Sequence, residues 1–320
     1  MQKRKLGSTP YQIAPLVFGG NVFGWTADES TSFKLMDAFL DNGFSLIDTA
    51  DSYSRWVPGH KGGESEIIIG KWMKARGNRG KVVVATKVGS DMGQGKKDLS
   101  KKWILQAAED SLRRLQTDYI DLYQSHWDDL ETPVEETLEA YDELVKQGKV
   151  RTIGASNLGP DRLIASLEAS KKNGWPVYQT LQPNYNLYDR ADYESKYESI
   201  AQKHGLGVIP YFSLASGFLA GKYRSEEDLK ARARGAFVKK YLNERGYRIL
   251  DALDEVAKAS NATPAQIAIA WLIARPSITA PIASATSVDQ LNELITATRI
   301  RLDDASLQKL NQASGIERPA

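Results

Sequence analysis

The 320-residue chain contains no cysteine. That absence excludes a disulfide framework, a thiolate metal centre and a cysteine nucleophile. Histidine is nearly as scarce. His60, His126 and His204 stand far apart, so no histidine-rich metal site is expected and no metal is assigned. Charge of one sign is also lacking: 42 basic and 40 acidic residues are interspersed and leave a net charge of +2. Neither a nucleic-acid face nor an anionic-membrane face is expected from that balance. Long apolar runs are missing too. The longest, Ile267 to Ala274, stops at Arg275-Pro276, well short of the roughly 20 residues a membrane span needs. The opening MQKRKLGSTPYQIAP has no apolar core of signal-peptide length. The expected location is cytoplasmic, without a membrane partner.

Apolar residues make up 42% of the chain, enough for a large core in one α/β domain or two smaller ones. Two short strand-like pieces flank the turn Gly7-Ser-Thr-Pro10, predicting a small hairpin. Eight further strand-like runs follow, at 16–18, 44–48, 81–86, 119–124, 152–156, 180–183, 206–211 and 278–282. Helical patterns alternate with them. Examples are Ser30–Asn42 and Glu64–Arg76, a helix capped by Ser100, and another opened by Pro160. Thr132-Pro-Val-Glu135 and Thr263-Pro-Ala-Gln266 both read as capping boxes with proline at the first helical position. Asn261-Ala-Thr263 matches a glycosylation sequon but reads better as part of that second cap. A Lys/Arg-rich connection spans Ser213 to about Val238, and Asp303 to Ser314 predicts one further helix.

Strands alternating with helices imply a parallel sheet with right-handed crossovers. Eight such units predict a (β/α)8 TIM barrel, with an N-terminal β-hairpin and a C-terminal extra helix, as one domain over 1–320. An open doubly wound sheet is the other arrangement, but the G-x-G-x-x-G that usually follows its first strand is missing.

The stretch GFSLIDTADSY, Gly43 to Tyr53, organises the functional reading. A buried strand ends at Asp48, and Tyr53 follows on the loop. Taken alone, the pair reads as a strand stop and a half-buried tyrosine. The other strand ends change that reading, because a barrel keeps its chemistry at the carboxyl ends of its strands. Those ends carry Gly19-Gly20, Lys87, Gln124 to His126, Ser156-Asn157, Gln182, Tyr211 and Ser284. Tyrosine, with a pKa of about 10, is a poor proton donor-acceptor near neutrality. Lys87 is expected to lower that pKa, Asp48 to hold the lysine, and His126 to bond a substrate oxygen. Together they make a general acid for a carbonyl oxygen. None of the four is a hydride source, so an external cofactor is implied. A barrel hydrolase or isomerase using Asp48 and Glu64 as paired carboxylates is the competing chemistry.

Four motifs in order then identify a resemblance over nearly the whole chain. GFSLIDTADSY with its D-T-A-x-x-Y core, KVVVATKVG with Lys87, DYIDLYQSHWDD with His126, and GKVRTIGASNL with Gly154 to Asn157 resemble the aldo-keto reductases. The resemblance is to the branch of bacterial enzymes and potassium-channel β-subunits. It implies reduction of aldehydes or ketones by NADPH, with NADH left open, on a barrel without a Rossmann fold. By position, Tyr53 would be the general acid/base, Lys87 and Asp48 its tuning pair, and His126 the substrate-orienting group. Ser156, Asn157 and Gln182 would hold the nicotinamide carboxamide, Tyr211 would stack under the ring, and Gly20, Asn21 and Val22 would line its edge. FSLASGFLAGKYR, with Phe212, Ser213, Leu214, Ser216, Gly217 and Lys222, resembles a pyrophosphate clamp. In SATSVDQLNE the family's Lys and Arg are replaced by Ser284 and Gln290, with Thr286 between them, while Glu293 matches the adenine-contacting acid. Lys222, Arg232 and Arg234 are the candidate replacements for the lost charge. Trp25, Trp56, Trp127 and Tyr188 are candidate pocket walls, favouring a bulky or cyclic ketone over a small sugar aldehyde. The channel branch also implies an alternative, a nicotinamide-binding regulatory or partner protein with slow turnover. A homo-oligomer is left open.

Overall fold

Eight strands of the computed structural model, which describes residues 2–230 and 235–315, lie parallel in one curled sheet. In chain order the elements are the hairpin β1 (Arg4–Lys5) and β2 (Gln12–Ile13), then β3 (Val17–Gly19), α1 (Glu29–Asp41), β4 (Leu46–Asp48), α2 (Glu64–Arg76), β5 (Val83–Val88) and α3 (Lys101–Leu115). β6 (Ile120–Ser125), α4 (Val134–Lys146), β7 (Val150–Ser156), α5 (Pro160–Asn173) and β8 (Tyr178–Gln182) follow. A π-turn at Tyr193–Tyr197 leads into α6 (Glu198–His204) and β9 (Gly207–Val208). The rest comprises α7 (Glu227–Lys230), α8 (Gly235–Val238), α9 (Glu244–Ala259), α10 (Pro264–Ala274), β10 (Ile282–Ala283), α11 (Val288–Ala297) and α12 (Asp304–Ser314). The sheet runs β10-β3-β4-β5-β6-β7-β8-β9. Thr279 N donates to Val208 O at 2.9 Å and Ile282 N to Pro210 O at 2.9 Å, joining its two ends. The result is a (β/α)8 barrel with helices around it.

The seam strands are shorter than their apolar runs suggest. The runs 206–211 and 278–282 become two-residue strands, β9 and β10. Pro210 and Pro281 account for this, because proline has no N–H to give to a ladder. Inside the barrel, Val17, Leu46, Ala85, Leu122, Ile209, Ala280 and Ile282 pack with Leu6 and Ile13 of the hairpin. The hairpin therefore plugs the amino-terminal end, and Arg4 bonds the carbonyls of Ile273 and Ile278 at 2.8 and 2.9 Å.

The helix caps divide. Ser100 accepts from Trp103 N, and Thr263 forms the full reciprocal box with Gln266. The box at Thr132 does not form. Pro133, with ψ 144°, stands at the cap itself rather than at the first helical position. Thr132 Oγ1 instead donates to Asp129 Oδ2 at 2.6 Å, so a loop contact takes the hydroxyl that the cap would have used. α9 has no counterpart among the sequence-based elements. It is amphipathic, burying Ile249, Leu250, Leu253, Val256 and Ala257, and Asn243 caps it by accepting from Gly246 N. Among the described residues no helix is long and apolar enough to cross a membrane.

Candidate active site

Strand register places the ionisable groups. Leu46, Ala85 and Leu122 face the barrel interior. Residues two further along each strand share that face, so Asp48, Lys87 and Gln124 also point inward, one layer nearer the carboxyl end. The ladders align them: Asp48 opposes Ala85, Lys87 opposes Gln124, and Ser156 opposes Gln182. Gly154 lies between Gln124 and Thr180 in this layer. A Cβ there would sit 2.1 Å from Thr180 Oγ1, so only glycine leaves room.

Lys87 is fully buried and all three of its ammonium hydrogens have partners. Nζ donates to Asp48 Oδ2 at 2.7 Å, to Thr49 O at 2.7 Å and to Tyr53 Oη at 2.9 Å. Tyr53 Oη donates to Asp48 Oδ2 at 3.2 Å, and Gln182 Nε2 donates to Asp48 Oδ1 at 2.8 Å. A buried ion pair of this kind holds because the remaining lone pairs are satisfied as well. Glu64, by contrast, accepts from Lys61 N at 2.9 Å in the loop before α2. Asp48 is meanwhile wholly engaged with Lys87, Tyr53 and the glutamines.

Electrostatics correct one expectation. Burial pushes the Tyr53 phenol well above its ordinary pKa, and the Asp48 carboxylate adds to the shift. Lys87 does not bring it down. Burial lowers the Lys87 ammonium, opposed by Asp48. The two shifts reverse the ordinary order of proton affinity, leaving the phenol to hold its proton more tightly than the ammonium. Burial also lowers His126 well below the ordinary imidazole value, with Lys87 as the second cause, so the ring is neutral at neutral pH.

His126 sits over this cluster. Its ring centroid lies 6.1 Å from that of Tyr53, edge-on, and it stacks on Trp127 at 5.6 Å. His126 N donates to Val88 O at 2.7 Å, and Asn157 Nδ2 donates to His126 O at 2.9 Å. Ser90 Oγ lies 3.0 Å from His126 Nδ1, and Ser52 Oγ donates to Ser90 Oγ at 3.1 Å. Sequence reasoning did not pick out Ser52 or Ser90, although Ser90 stands three residues after Lys87, in the loop just past the end of its strand. It also passed over Asp51, whose two carboxylate oxygens are buried without a hydrogen-bond partner among the described residues. Burial, helped by nearby Glu66, pushes that carboxyl up to about 8.

On the other side of the mouth, Ser156 Oγ donates to Gln182 O at 2.8 Å, and Tyr211 Oη donates to Asn157 Oδ1 at 2.8 Å. Asn157 is left-handed, with φ 52°. Phe212, Ala215 and Ser216 have φ 53°, 49° and 58°, followed by Gly217 at 98°. Backbone turned in this way presents N–H groups as a concave cradle for an anion. Ser213 is buried, its Oγ donating to Pro210 O at 3.2 Å, and Leu214 O accepts from Gly217 N at 2.9 Å. Gly20 and Val22 are buried, and Ser284 Oγ donates to Asn21 Oδ1 at 2.6 Å. Gln290 Oε1 accepts from Thr286 N at 3.0 Å, and Glu293 Oε1 accepts from Thr263 Oγ1 at 2.5 Å. Lys222 is exposed, whereas Arg232 and Arg234 lie outside the described residues.

Of the four aromatic candidates, three gather. Trp25 and Trp56 meet edge-on at 5.6 Å, Trp56 lies 6.1 Å from Tyr53, and Trp127 stacks on His126. Trp56 and Trp127 are 51% and 37% exposed, as befits residues at an opening. Tyr188 is set elsewhere, packed edge-on against Tyr241 and Phe218 with Arg245 over its ring.

This constellation has relatives. A family model described as "Aldo/keto reductase family" matches residues 15–314. An uncharacterized oxidoreductase, YrpG of Bacillus subtilis (strain 168), is 37% identical, the match covering 97% of this chain and 95% of that protein. The aldo-keto reductase YhdN of the same organism is 32% identical over 92% of this chain and 86% of its own length. Versiconal hemiacetal acetate reductase of Aspergillus parasiticus is 28% identical over 98% and 96%. Matches of this extent, on a barrel whose mouth holds a buried lysine between a carboxylate and a phenol, place the chain in the aldo/keto reductase family of oxidoreductases.

Proposed function

We propose that this protein reduces aldehydes or ketones to alcohols, reversibly, with a nicotinamide cofactor and Tyr53 as the general acid. The observation that carries the reading is Lys87 Nζ held 2.7 Å from Asp48 and 2.9 Å from Tyr53 Oη at the carboxyl end of the barrel. The cofactor supplies the hydride that reaches the carbonyl carbon when it is bound. The chain's own groups handle the oxygen. Tyr53 stays protonated because its pKa is raised, and its hydrogen rests on a long bond, 3.2 Å to Asp48. Turning that hydrogen to a substrate oxygen costs little, and it delivers the proton as charge develops there. Lys87, weakened as a base by burial, can restore the proton along its bond to Tyr53 Oη. Neutral His126 contributes a hydrogen bond to the same oxygen.

The cofactor side fits the group it would hold. Ser156, Asn157 and Gln182 bring amide and hydroxyl groups together beside Tyr211, suited to a carboxamide and an aromatic ring. In the left-handed turn Ala215–Gly217 the N–H groups of Ala215 and Gly217 donate to Phe212 O and Leu214 O, so Ser216, with its N–H and hydroxyl, is the residue that would meet a pyrophosphate, and Gly20 to Val22 line the neighbouring strand end. NADPH is the first choice. Ser284 and Gln290 are neutral, so Lys222, Arg232 and Arg234 would have to supply charge for a 2′-phosphate, and NADH remains the competitor. Trp25, Trp56 and Trp127 suit a bulky or cyclic ketone better than a sugar aldehyde. The name of the fungal relative, a hemiacetal acetate reductase, accords with chemistry at the carbonyl oxidation level.

A panel of aldehydes and ketones run with NADPH and with NADH tests class, cofactor and pocket together. Reduction of cyclic ketones with a preference for NADPH is expected. No oxidation of either cofactor across the panel would remove the reductase reading.

A further inference from the structure

We infer that Ser90, itself fixed by Ser52, is a positioning residue that locks His126 as the tautomer with hydrogen on Nε2. The inference rests on the reductase reading for its purpose, although its geometry stands apart from it. Ser90 is buried, and its Oγ has two partners among the described residues: Ser52 Oγ, which donates to it at 3.1 Å, and His126 Nδ1 at 3.0 Å. A serine hydroxyl carries one hydrogen. With Ser52 filling a lone pair, that hydrogen has a single acceptor, Nδ1.

The other protonation states of the ring are disfavoured. Hydrogen on Nδ1 would leave the buried Ser90 hydroxyl without an acceptor, a cost comparable to a lost hydrogen bond. The doubly protonated ring would place a second cation beside Lys87 in a buried site. Nε2 therefore carries the hydrogen. Among the described residues it has no protein partner, and it is not buried without one, so it is accessible from the opening. Backbone bonds from His126 to Val88 and Asn157, with stacking on Trp127, hold the ring in plane. The outcome is a donor aimed by serines from two loops, after β4 and after β5, at a substrate oxygen. His126 would be unable to donate from that atom in the other tautomer.

The chain suits a direct test, because it has three histidines. Full-length protein labelled with nitrogen-15 at histidine gives three ring systems in a long-range proton–nitrogen correlation spectrum, and His126→Asn assigns the relevant one. The expected wild-type spectrum shows His126 protonated at Nε2 and bare at Nδ1. Ser90→Ala should yield a mixture of tautomers, and Ser90→Thr, which keeps the hydroxyl, should restore the single form. Kinetically, Ser90→Ala should raise KM for the carbonyl substrate about tenfold, with cofactor affinity unchanged and Ser90→Thr close to wild type. Hydrogen on Nδ1 in the wild type overturns the inference, whatever the activity. So does a Ser90→Ala spectrum identical to wild type, and the wild-type spectrum decides if Ser90→Ala does not fold. A wild-type spectrum as expected, alongside no carbonyl reduction, would sink the reductase reading and leave the lock in place.

Discussion

At the ends of β4, β5 and β6 the mouth is made of ionisable side chains seated on strand residues. After β9 and β10 it is made of left-handed backbone and of neutral hydroxyls and amides. The first region concentrates charge where water is excluded, with Asp48 and Lys87 both buried. The second carries no buried ion pair among its named residues and offers hydrogen-bond donors instead. The difference suits two tasks. Moving a proton needs groups whose proton affinities are shifted and held at fixed distances. Holding an extended anionic cofactor needs many modest contacts whose strength does not depend on a single residue.

Substitutions can break this contrast or sharpen it. The largest effect is expected from Lys87→Met, which leaves Asp48 buried and uncompensated. Stability should fall by about 3–5 kcal/mol in urea unfolding, and turnover should disappear. A drop within about 0.5 kcal/mol would mean that water reaches Asp48. Tyr53→Phe comes next: turnover should fall by at least about 100-fold while cofactor affinity, read by fluorescence titration, holds. Undiminished oxidation of reduced cofactor would take the phenol out of its role.

Asp51→Asn probes the buried carboxyl behind the cluster. A folded pKa of about 8 lies above the 3.8 of the unfolded chain. The folded state therefore keeps its proton longer, and this group lowers stability as pH rises between those values. The slope is about 1.4 kcal/mol per pH unit. Asparagine should flatten the profile between pH 5 and 7.5 by that amount and stabilise the protein most at the upper end. Equal slopes in the two proteins would show that Asp51 is already ionised. The backbone side should respond differently. Ser216→Gly, at φ 58°, should change stability by less than about 1 kcal/mol, whereas Ser216→Val should cost about 1–2 kcal/mol and loosen cofactor binding. Equal effects of Gly and Val would mean that the turn relaxes without loss.

The charged half was the more legible one. Asp48, Lys87 and His126 stand at the ends of apolar runs, and a two-residue period puts the first two on the interior face whatever the details of packing. Helices α2, α3 and α5 carry their own boundaries in Gly77, Ser100 and Pro160. Other features could not be read locally. The left-handed Phe212, Ala215 and Ser216 are not residue types that announce such a backbone, and packing after β9 imposes it. The direction of the Tyr53 shift is not legible in sequence, because a neighbouring cation is visible there, whereas burial, the larger cause, is not. The cap at Thr132 failed because Asp129 competes for the hydroxyl across a loop.

What the sequence by itself determined is the alternation of strand and helix, the identity of the proton-handling groups and the layer they occupy. These follow from periodicity and from chemistry carried by single residues. Only the tertiary structure decided which of those groups touch, how burial shifts their protons, and which serine meets the imidazole. Ser52, Ser90 and His126 come from three separate loops, and their distances exist only once the barrel has closed.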